Sequence, residues 1–598
     1  MRVQTALKAL PWVLAMAAMT AGAGVKWYAV DPMGEEPCMP DKPPAGGREG
    51  APIQIVAAKG EYEPASFVLV ADADLGKVSF AVGDLKTADG RIFSAANLDL
   101  KTVKVWYQAG NAWTSYFGDP KLKLCPELLL NDEDLVKVDT KKGWNYARLT
   151  EQDGTVHYHW LNPTRDVDNR MEEANHYRVD NSFLNMKENF SDAATHQGAT
   201  LGKGEYKQFF LTANVTRDVK PGLYKGEVKV EGVGGGVGEG VGVGVGVGVG
   251  GQVVIPVVLR VLDFELPPPK CYFDVDKDFC IWFCEYVSLD HIMAVNGNNR
   301  PLAERQLVAI LRDFVRHNET TPCYRENVSN PEFGREAGMV FDGKMQTGIM
   351  HLGEAAEMRY RARRQKEMLT KKFGWQPFYL FWGDEFGLST LRGVRDMVKI
   401  YHDEGFRWPV NSQAAYDAGA YMSDIWWPPY NPDSRSSAPV FKYNQLGGDG
   451  YFGWYASQHV GSENPAFNRR QYGFGPYRAG FSSDFNYAHH LQGWNDIGHD
   501  LYRPMMFVYG TGNGCVDTLQ WEGFREGIDD IRYATKLKQL AEPLVKGTAD
   551  QRYAAKKALQ LLADADGDDM DLTTLRLEMI RHIEKLIALG APVIDSNR

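Results

Sequence analysis

The chain has 598 residues, too many for one ordinary domain and enough for two or three. Apolar residues make up 44% and charged residues 24%, as is usual for a globular protein. The net charge of −11 argues against a nucleic-acid partner, because nucleic-acid binding favours basic surfaces.

The N-terminal stretch MRVQTALKALPWVLAMAAMTAGAG has two basic residues, an apolar run and small residues around Ala21 and Ala23. This order predicts a signal peptide over residues 1–23, and hence a secreted or periplasmic protein. No later apolar run reaches the ~18 residues that a membrane span requires. The seven cysteines are scattered and contain no CxxC pair, so we expect neither a metal site nor a cofactor.

Residues 24–268 contain short apolar runs separated by turn residues. Runs such as SFVLVADA, KVSFAVGDL, QFFLTANV and VVIPVVLRVLDFEL are rich in β-branched or aromatic side chains, and helical periodicity is scarce. This pattern predicts an N-terminal antiparallel β-sandwich. Three prolines, Pro267–Pro269, form a stiff connector at its end.

A glycine-rich stretch, GVGGGVGEGVGVGVGVGVGG, occupies residues 232–251 between YKGEVKV and QVVIPVVLRV. Alternating valine and glycine imitates a strand. However, a glycine at every second position leaves one face with nothing to pack and increases the entropy lost on ordering. We interpret the stretch as an expanded hairpin loop whose arms are the two flanking strands.

Residues 269–540 alternate short apolar runs with helical stretches. The predicted strands are FCIWFCEYV, QPFYLFWGDE, RWPVNSQ, DIWWPPY, GYFGWYAS and RPMMFVYG, and the predicted helices span residues 301–318, 353–374 and 389–405. Nearly continuous apolar strands that alternate with helices indicate a parallel sheet buried on both faces. About eight such units over ~250 residues predict a (β/α)8, TIM-like barrel.

The last segment, residues 541–598, is predicted to form C-terminal helices. An apolar stripe runs from Leu572 to Leu586 and stops near Gly590, which is typical of a helix end. The predicted fold class is therefore multidomain β and α/β, with a β-sandwich, a barrel and a helical tail.

The run FYLFWGDEFG, residues 378–387, brings Asp384 and Glu385 to the end of a predicted strand. Active sites of such barrels form at the carboxyl ends of the strands. Gly383 permits an irregular backbone, so both acids can turn toward one pocket. Two close acids do not ionise equally easily, which yields one proton donor and one anion, as acetal cleavage requires. A helix cap and an ordinary ion pair would explain the same dipeptide.

Other predicted strand ends carry flat or polar side chains that suit a sugar site, because aromatic rings stack on pyranose faces. The candidate sugar platforms are Trp382, Trp426, Trp427, Tyr430, Trp454, Tyr455, Trp494 and Tyr509, some of which will instead pack against helices. Asn411 is a candidate for binding a hydroxyl group, or is simply a turn residue. Arg525, within WEGFREGIDD, is a candidate for contacting the sugar, although we favour a role in tying loops together. His489 and His490 lack a metal-ligand spacing and are expected to be surface or packing residues.

The sequence resembles glycoside hydrolase family 123 and its relatives, in which a β-sandwich precedes a barrel of this kind. The resemblance is carried by GEYEPASFVLV (60–70), VTRDVKPGLYKGEVKV (215–230), FWGDE (381–385) and LQWEGFREGIDDIRY (519–533). It implies a retaining exo-β-N-acetylgalactosaminidase that acts on a glycan or glycoconjugate and uses the acetamide group of the substrate. It also implies that Glu385 is the general acid/base and that Asp384 orients and stabilises the 2-acetamido group.

The implied mechanism agrees with the order of the two acids. If the substrate amide is the nucleophile, no enzyme carboxylate needs to lie across the sugar ring, and consecutive residues can supply both groups. Two alternatives stay open at this point. One is a glycosidase of the same architecture that acts on a sugar without an N-acetyl group, and the other is a non-catalytic carbohydrate-binding protein.

Overall fold

A computed structural model gives the arrangement of most of the chain. It describes residues 24–108, 123–161, 184, 186–233, 251–285, 288–319, 323–324, 330–340, 346–382, 387–410, 425–426, 451–455, 464–490, 494, 507–565 and 570–591. The predicted signal peptide, residues 1–23, lies outside the described residues.

The N-terminal part is built from strands. In chain order they are β1 Val25–Val30, β2 Arg48–Glu49, β3 Ile53–Lys59, β4 Glu61–Ala71, β5 Gly76–Val82, β6 Leu85–Lys86, β7 Ile92–Phe93, β8 Leu98–Gln108, β9 Lys123–Leu130, β10 Val136–Asp139, β11 Trp144–Thr150, β12 Val156–Leu161, β13 Ala199–Leu201, β14 Tyr206–Val215, β15 Gly222–Val233 and β16 Gly251–Glu265. Two 3₁₀ turns, Ala95–Asn97 and Glu133–Leu135, lie between them.

Two sheets share the N-terminal apolar core. One runs in the order β2-β1-β4-β14-β8-β9 and the other in the order β13-β5-β15-β16-β3, while β10, β11 and β12 form a small separate sheet. Every described pair within these sheets is antiparallel except β16 with β3. Alternate residues of β4, such as Phe67 and Leu69, meet residues of β16, such as Ile255 and Leu259, in one cluster. The predicted antiparallel, sheet-rich N-terminal region is confirmed.

The two predicted hairpin arms pair with each other. Strands β15 and β16 are antiparallel from Gly222 opposite Val261 to Val233 opposite Gly251. Residues 234–250, most of the glycine-rich stretch, lie outside the described residues.

The C-terminal part contains the helices. They are α1 Leu289–Val295, α2 Arg300–Arg316, α3 Pro331–Ala337, α4 Ala355–Phe373, α5 Leu388–Asp403, α6 Pro465–Arg469, α7 Gly475–Arg478, α8 Leu519–Leu544, α9 Ala549–Asp564 and α10 Leu572–Ala588. Sequence signals define their ends: Thr548 and Gln551 form a capping box at the start of α9, and Gly374 ends α4 with φ of 76°. None of the described helices has the length and apolar character of a membrane span.

Short parallel strands alternate with these helices. They are β17 Cys280–Glu285, β18 Cys323–Tyr324, β19 Gln346–Ile349, β20 Tyr379–Phe381, β21 Pro409–Val410, β22 Ile425–Trp426, β23 Tyr451–Tyr455 and β24 Ser483–His490. Strand β17 pairs in parallel with both β18 and β24, β19 pairs with β20, and β21, β22, β23 and β24 pair in sequence. A single parallel bridge from Tyr379 to Arg407 links β20 to the approach of β21.

One predicted strand of the parallel sheet is wrong. The end of RPMMFVYG forms β25, Tyr509–Thr511, which makes an antiparallel hairpin with β26, Gly514–Thr518. Strand β26 then pairs with β9, so this hairpin extends the N-terminal sheet. An apolar run encodes burial but not its partner strand, and for this reason periodicity assigned it to the wrong sheet. Helix α8 also runs through the boundary predicted between residues 540 and 541.

Helix α8 packs against the α6–α7 segment at backbone distance. A Cβ atom at Gly523 would lie 2.3 Å from the Pro465 carbonyl oxygen, and one at Gly527 would lie 2.5 Å from that of Arg469. The segment joins α6 to α7 through a π turn, Arg470–Phe474, in which Gly473 has non-helical dihedral angles. The glycines of WEGFREG therefore permit the close crossing of two helical segments.

Candidate active site

Strand β20 and helix α5 flank the predicted acids in the sequence. Phe378 and Leu380 are buried against the helices, whereas Tyr379 meets Trp282 of β17 edge to face, with ring centroids 5.4 Å apart. Alternate side chains of β20 thus reach two different layers, as a strand in a sheet covered on both sides requires. Asp384 and Glu385 follow Phe381 by three and four residues and precede α5.

The acids themselves, with Gly383 and Phe386, lie outside the described residues. Their neighbours are described: Trp382 is half-buried and packs against the core that contains Phe378 and Leu380. Gly387 forms the N-cap of α5 without a side-chain hydrogen bond. The first turn of α5 contains no acidic residue, so Asp384 and Glu385 are the acids nearest to this helix N-terminus in the sequence.

The other predicted site residues are distributed over several elements. Trp426 ends β22, and Trp454 and Tyr455 end β23. Both strands are parallel to β24 within the same sheet, so their carboxyl ends lie at one edge. Asn411, Trp427 and Tyr430 lie outside the described residues.

Trp494 and Tyr509, two predicted sugar platforms, are core residues. Trp494 is 1% exposed, packs edge to face on Phe190 at 4.6 Å, and donates its indole N–H to the Gly510 carbonyl at 2.7 Å. Tyr509 is fully buried and donates its hydroxyl hydrogen to Glu127 at 3.2 Å. Neighbouring rings and strands cover both side chains, and this corrects the prediction that they are exposed to a sugar.

Arg525 is also enclosed by the protein. It is 2% exposed and forms ion pairs with Glu522 at 2.5 Å and with Glu526 at 3.6 Å. Burial alone would lower the pKa of Arg525, but the two glutamates outweigh that effect and raise it. We therefore assign Arg525 to the structural role that the sequence favoured.

A buried polar cluster surrounds Asp313, and the sequence patterns did not predict it. Asp313 accepts a hydrogen bond from the Trp521 indole at 2.9 Å and lies 3.2 Å from His317 Nδ1 and 3.0 Å from Arg316. Burial alone would raise the pKa of Asp313, but His317 holds it well below its usual value. Burial alone would lower the pKa of His317, yet Asp313 and Glu522 raise it to about 9.

This cluster brings possible metal ligands together. The sets Asp313, Cys515 and Asp517, and His317, Asp517 and Glu522, each have ligand atoms close enough to share an ion. However, Arg316 approaches both aspartates and a protonated His317 adds a second positive charge. These cations balance the carboxylates, so we interpret the cluster as an ion-pair network.

Strand β24 was missed by the sequence analysis because its letters, SDFNYAHH, are mainly polar. Asp484 and Asn486 lie two residues apart and are 1% exposed, and neither side chain has a hydrogen-bond partner in the described part of the chain. Burial raises the pKa of Asp484 well above its usual value, because a buried site disfavours the charged carboxylate. His489 and His490, predicted to be surface or packing residues, are buried, so the packing alternative holds for them.

The described elements define a two-part architecture in which an antiparallel, β-rich region precedes an α/β region with an acid pair after one parallel strand. This fold is similar to that of a family 123 glycoside hydrolase from Clostridium perfringens, whose structure was analysed for the details of glycolipid glycan hydrolysis. The TM-score is 0.56 at 11% sequence identity, and the alignment covers 90% of this chain and 93% of that chain. The resemblance inferred from the sequence is confirmed at the level of the fold.

A second solved structure aligns less well. It is a family 20 exo-β-N-acetylglucosaminidase from Vibrio harveyi in complex with N-acetylglucosamine, with 8% identity over 92% of this chain and 99% of that chain. Its TM-score of 0.14 carries no argument about the fold. No protein-family model matches this chain. No curated protein matches it either.

Proposed function

We propose that this protein is an exported glycoside hydrolase that removes terminal β-linked N-acetylgalactosamine from a glycan or glycoconjugate. The observation that carries the proposal is the fold similarity to a family 123 glycoside hydrolase over 90% of the chain. The signal-like N-terminus supports export. Because fold alone does not fix chemistry, the proposed activity depends on the two acids that follow β20.

We further propose that strands β17 to β24 close into a (β/α)8 barrel. The described pairs support this closure, since the last strand, β24, is parallel to the first, β17, as well as to β23. Strands β18 and β19 are in contact and would complete the circle. Tyr379 and Trp282, from strands that are not neighbours in this order, meet as two rings inside such a barrel would.

The proposed reaction uses the substrate amide as the nucleophile. Glu385, protonated at rest, gives its proton to the leaving glycosidic oxygen while the acetamide oxygen attacks the anomeric carbon. Asp384 stays ionised and accepts a hydrogen bond from the acetamide N–H as that group becomes positive. Water then attacks the anomeric carbon of the cyclic intermediate while Glu385, now ionised, removes a proton from that water. The β configuration is retained.

The residues on either side of the acid pair in the sequence suit this division of roles. The N-terminus of α5 follows the two acids and carries a partial positive charge, which favours an anion near it. Aromatic residues precede them, including Tyr379 and the half-buried Trp382. A partly apolar pocket raises the pKa of a carboxyl group, which keeps one acid protonated near neutral pH.

The test of the proposed function compares matched aryl β-glycosides with and without the 2-acetamido group. We expect turnover of the N-acetylgalactosaminide only, with inhibition by a thiazoline analogue of the cyclic intermediate. Glu385→Gln should lower kcat by ~10²–10⁴-fold because the positioned acid is lost. Asp384→Asn should lower kcat and remove the acid limb of the pH profile, which reports the required anion, while the basic limb set by Glu385 remains.

The matched control is Glu404→Gln, which changes a glutamate at the far end of helix α5 and should leave kcat within twofold. Turnover of the sugar without the acetamido group would favour a different glycosidase. Sugar binding without turnover would favour a carbohydrate-binding protein. An active Glu385→Gln variant would show that the acid has been misassigned.

A further inference from the structure

The small sheet β10–β12 presents aromatic rings on the side away from the core. Along β11 and β12 this side carries four rings that are half-buried or exposed, and we call them the aromatic face: Trp144, Tyr146, Tyr158 and Trp160. The opposite side of the same strands, including Ala147, Leu149 and Leu161, is buried in the core. The sheet therefore has an inner apolar side and an outer aromatic one.

The rings of the aromatic face are close enough to form one surface. Trp144 and Trp160 lie 4.5 Å apart between centroids with planes tilted by 34°, and Trp144 lies 6.4 Å from Tyr146. Tyr158, 40% exposed, is next to Val156, 50% exposed. The buried indole N–H of Trp160 has no acceptor among the described residues. Clustered exposed apolar side chains of this kind mark interaction sites more often than single ones do.

Two lysines add positive charge to this surface. Lys142 Nζ lies 4.9 Å above the Trp144 ring, and Lys137 Nζ lies 5.4 Å above the Tyr158 ring. Neither ammonium group has an ion pair with an acid in the described part of the chain. The nearby Asp139 carboxylate accepts the backbone N–H groups of Lys141 and Lys142, which occupies it in the turn.

Arg148, another positively charged side chain on the side of the sheet that carries the aromatic face, is already neutralised. Arg148, opposite Tyr158 in the sheet, pairs with Asp132 at 2.6 Å. In a chain with a net charge of −11, two unpaired lysines over aromatic rings are therefore a local positive feature. Such a surface is complementary to a ring-shaped ligand that carries an anionic group.

One apolar cluster joins the sheet that carries the aromatic face to a residue just beyond the parallel strand β24. This residue is Trp494, which follows the end of β24 by four residues. In the proposed barrel the carboxyl ends of the parallel strands, β20 among them, lie at one edge. A glycan whose terminal sugar enters the site has further sugars to accommodate.

We propose that the aromatic face binds an acidic glycan chain, whose carboxylate or sulfate draws Lys137 and Lys142 away from the rings they cover, so that pyranose rings stack on Trp144 and Tyr158 in their place. This inference deepens the proposed function and rests on it for the class of ligand. It assigns the face to sugars beyond the one that is cleaved. Carboxylated and sulfated sugars share the required chemistry, and the probes below separate them.

The test measures binding by calorimetry on Glu385→Gln protein, so that no turnover interferes. The probes are a sulfated chondroitin hexasaccharide, the same hexasaccharide after desulfation, a sialylated hexasaccharide and a neutral hexasaccharide. We expect an acidic probe to bind at least tenfold more tightly than the neutral one. Trp144→Ala and Tyr158→Ala should each weaken it about tenfold, an effect typical of a lost ring stack. Replacing Lys137 and Lys142 by Gln should abolish the preference for acidic probes.

The control is Tyr553→Ala, which removes a more exposed ring, 61% exposed, from helix α9 on the C-terminal part of the chain. If Trp144→Ala lowers the melting temperature, Trp144→Leu keeps more apolar packing than alanine does while still removing the ring. Wild-type affinity in the ring variants, equal binding of neutral and acidic probes, or dimer formation through this face would overturn the inference. Binding through the face by a protein that cleaves no glycoside would overturn the proposed function instead.

Discussion

Glu61 holds a proton that an exposed glutamate would release. The side chain is fully buried, and its Oε2 accepts hydrogen bonds from the Ala58 backbone N–H at 2.6 Å and from the Tyr533 hydroxyl at 2.8 Å. Burial, together with the nearby charge of Asp529, raises the pKa of Glu61 from 4.5 to about 8. The folded protein therefore keeps Glu61 neutral over a pH range in which the unfolded chain ionises it.

This pKa difference predicts a pH-dependent stability. Between pH 5 and pH 8 the unfolded state has lost the proton and the folded state has kept it, so stability falls as the pH rises. One such proton contributes a slope of about 1.4 kcal/mol per pH unit. We expect Glu61→Gln to flatten the pH dependence of the free energy of unfolding by up to this slope. Urea unfolding at pH 5, 6, 7 and 8 measures it.

Glu231→Gln is the control, since Glu231 is an exposed glutamate on strand β15 of the other N-terminal sheet. It should leave the slope unchanged. A Glu61→Gln variant whose stability varies with pH as the wild type does would show that Glu61 titrates normally.

At the residue scale, sequence patterns identified the chemical type of a side chain better than they identified its surroundings in the fold. Residue type alone identified the acid pair at 384 and 385 and the aromatic candidates. Nothing in the sequence distinguishes Trp494, which packs against Phe190 in the core, from a tryptophan exposed at the rim of a binding site. The raised pKa of Glu61 comes from burial and from Asp529, which lies far along the chain, so local spacing carries no signal for it.

At the element scale, periodicity predicted the helices and the hairpin arms well. Helices α2, α4 and α5 occupy the stretches predicted for them, because their apolar stripes and glycine stops are local features. Strand β24 was missed because its buried positions carry Ser, Asp, Asn and His. The hairpin β25–β26 was assigned to the wrong sheet because strand pairing is set by tertiary contacts.

The crossing of α8 with the α6–α7 segment makes an element-scale prediction. A methyl group at Gly527 would lie 2.5 Å from a backbone oxygen, which cannot move aside as a side chain would. We expect Gly527→Ala to lower the free energy of unfolding by roughly 1–3 kcal/mol, as overpacking does. Chemical denaturation with a fitted midpoint and slope is the measurement.

Gly393→Ala is the matched control in helix α5. A Cβ at Gly393 meets no atom within 4 Å, so alanine should stabilise that helix by about 0.5–1 kcal/mol. If both substitutions had the same sign, helix propensity and not the crossing would decide the effect at Gly527.

On the scale of the whole molecule, Arg576 of helix α10 ties the two parts together. It pairs with Glu526 and Asp530 of α8 at 2.5 and 2.7 Å, and with Glu63 of strand β4 at 3.0 Å. Arg469 supports the same Asp530 from α6 at 2.7 Å. The carboxylates of this network are buried and depend on the arginines for compensation.

Removing Arg576 should therefore weaken the whole molecule. We expect Arg576→Ala to lower the free energy of unfolding by roughly 3–5 kcal/mol, because several buried acids lose their partner. Calorimetry should then resolve separate transitions for the β-rich and α/β parts, whereas we expect a single transition in the wild type. Arg581→Ala removes an exposed pair with Glu578 on the same helix and should cost less than ~1 kcal/mol. A wild-type melting curve for Arg576→Ala would contradict this role.

The pairing of β15 with β16 has a consequence for how this chain can change over generations. Because Val233 stands opposite Gly251, whatever joins them starts and ends at two adjacent points of one sheet edge. Doubling the number of joining residues adds only roughly 0.6 kcal/mol of closure entropy. Replication slippage in a repetitive Val-Gly reading frame should thus yield alleles of different length with one common sheet, and a label inserted there should leave the protein folded.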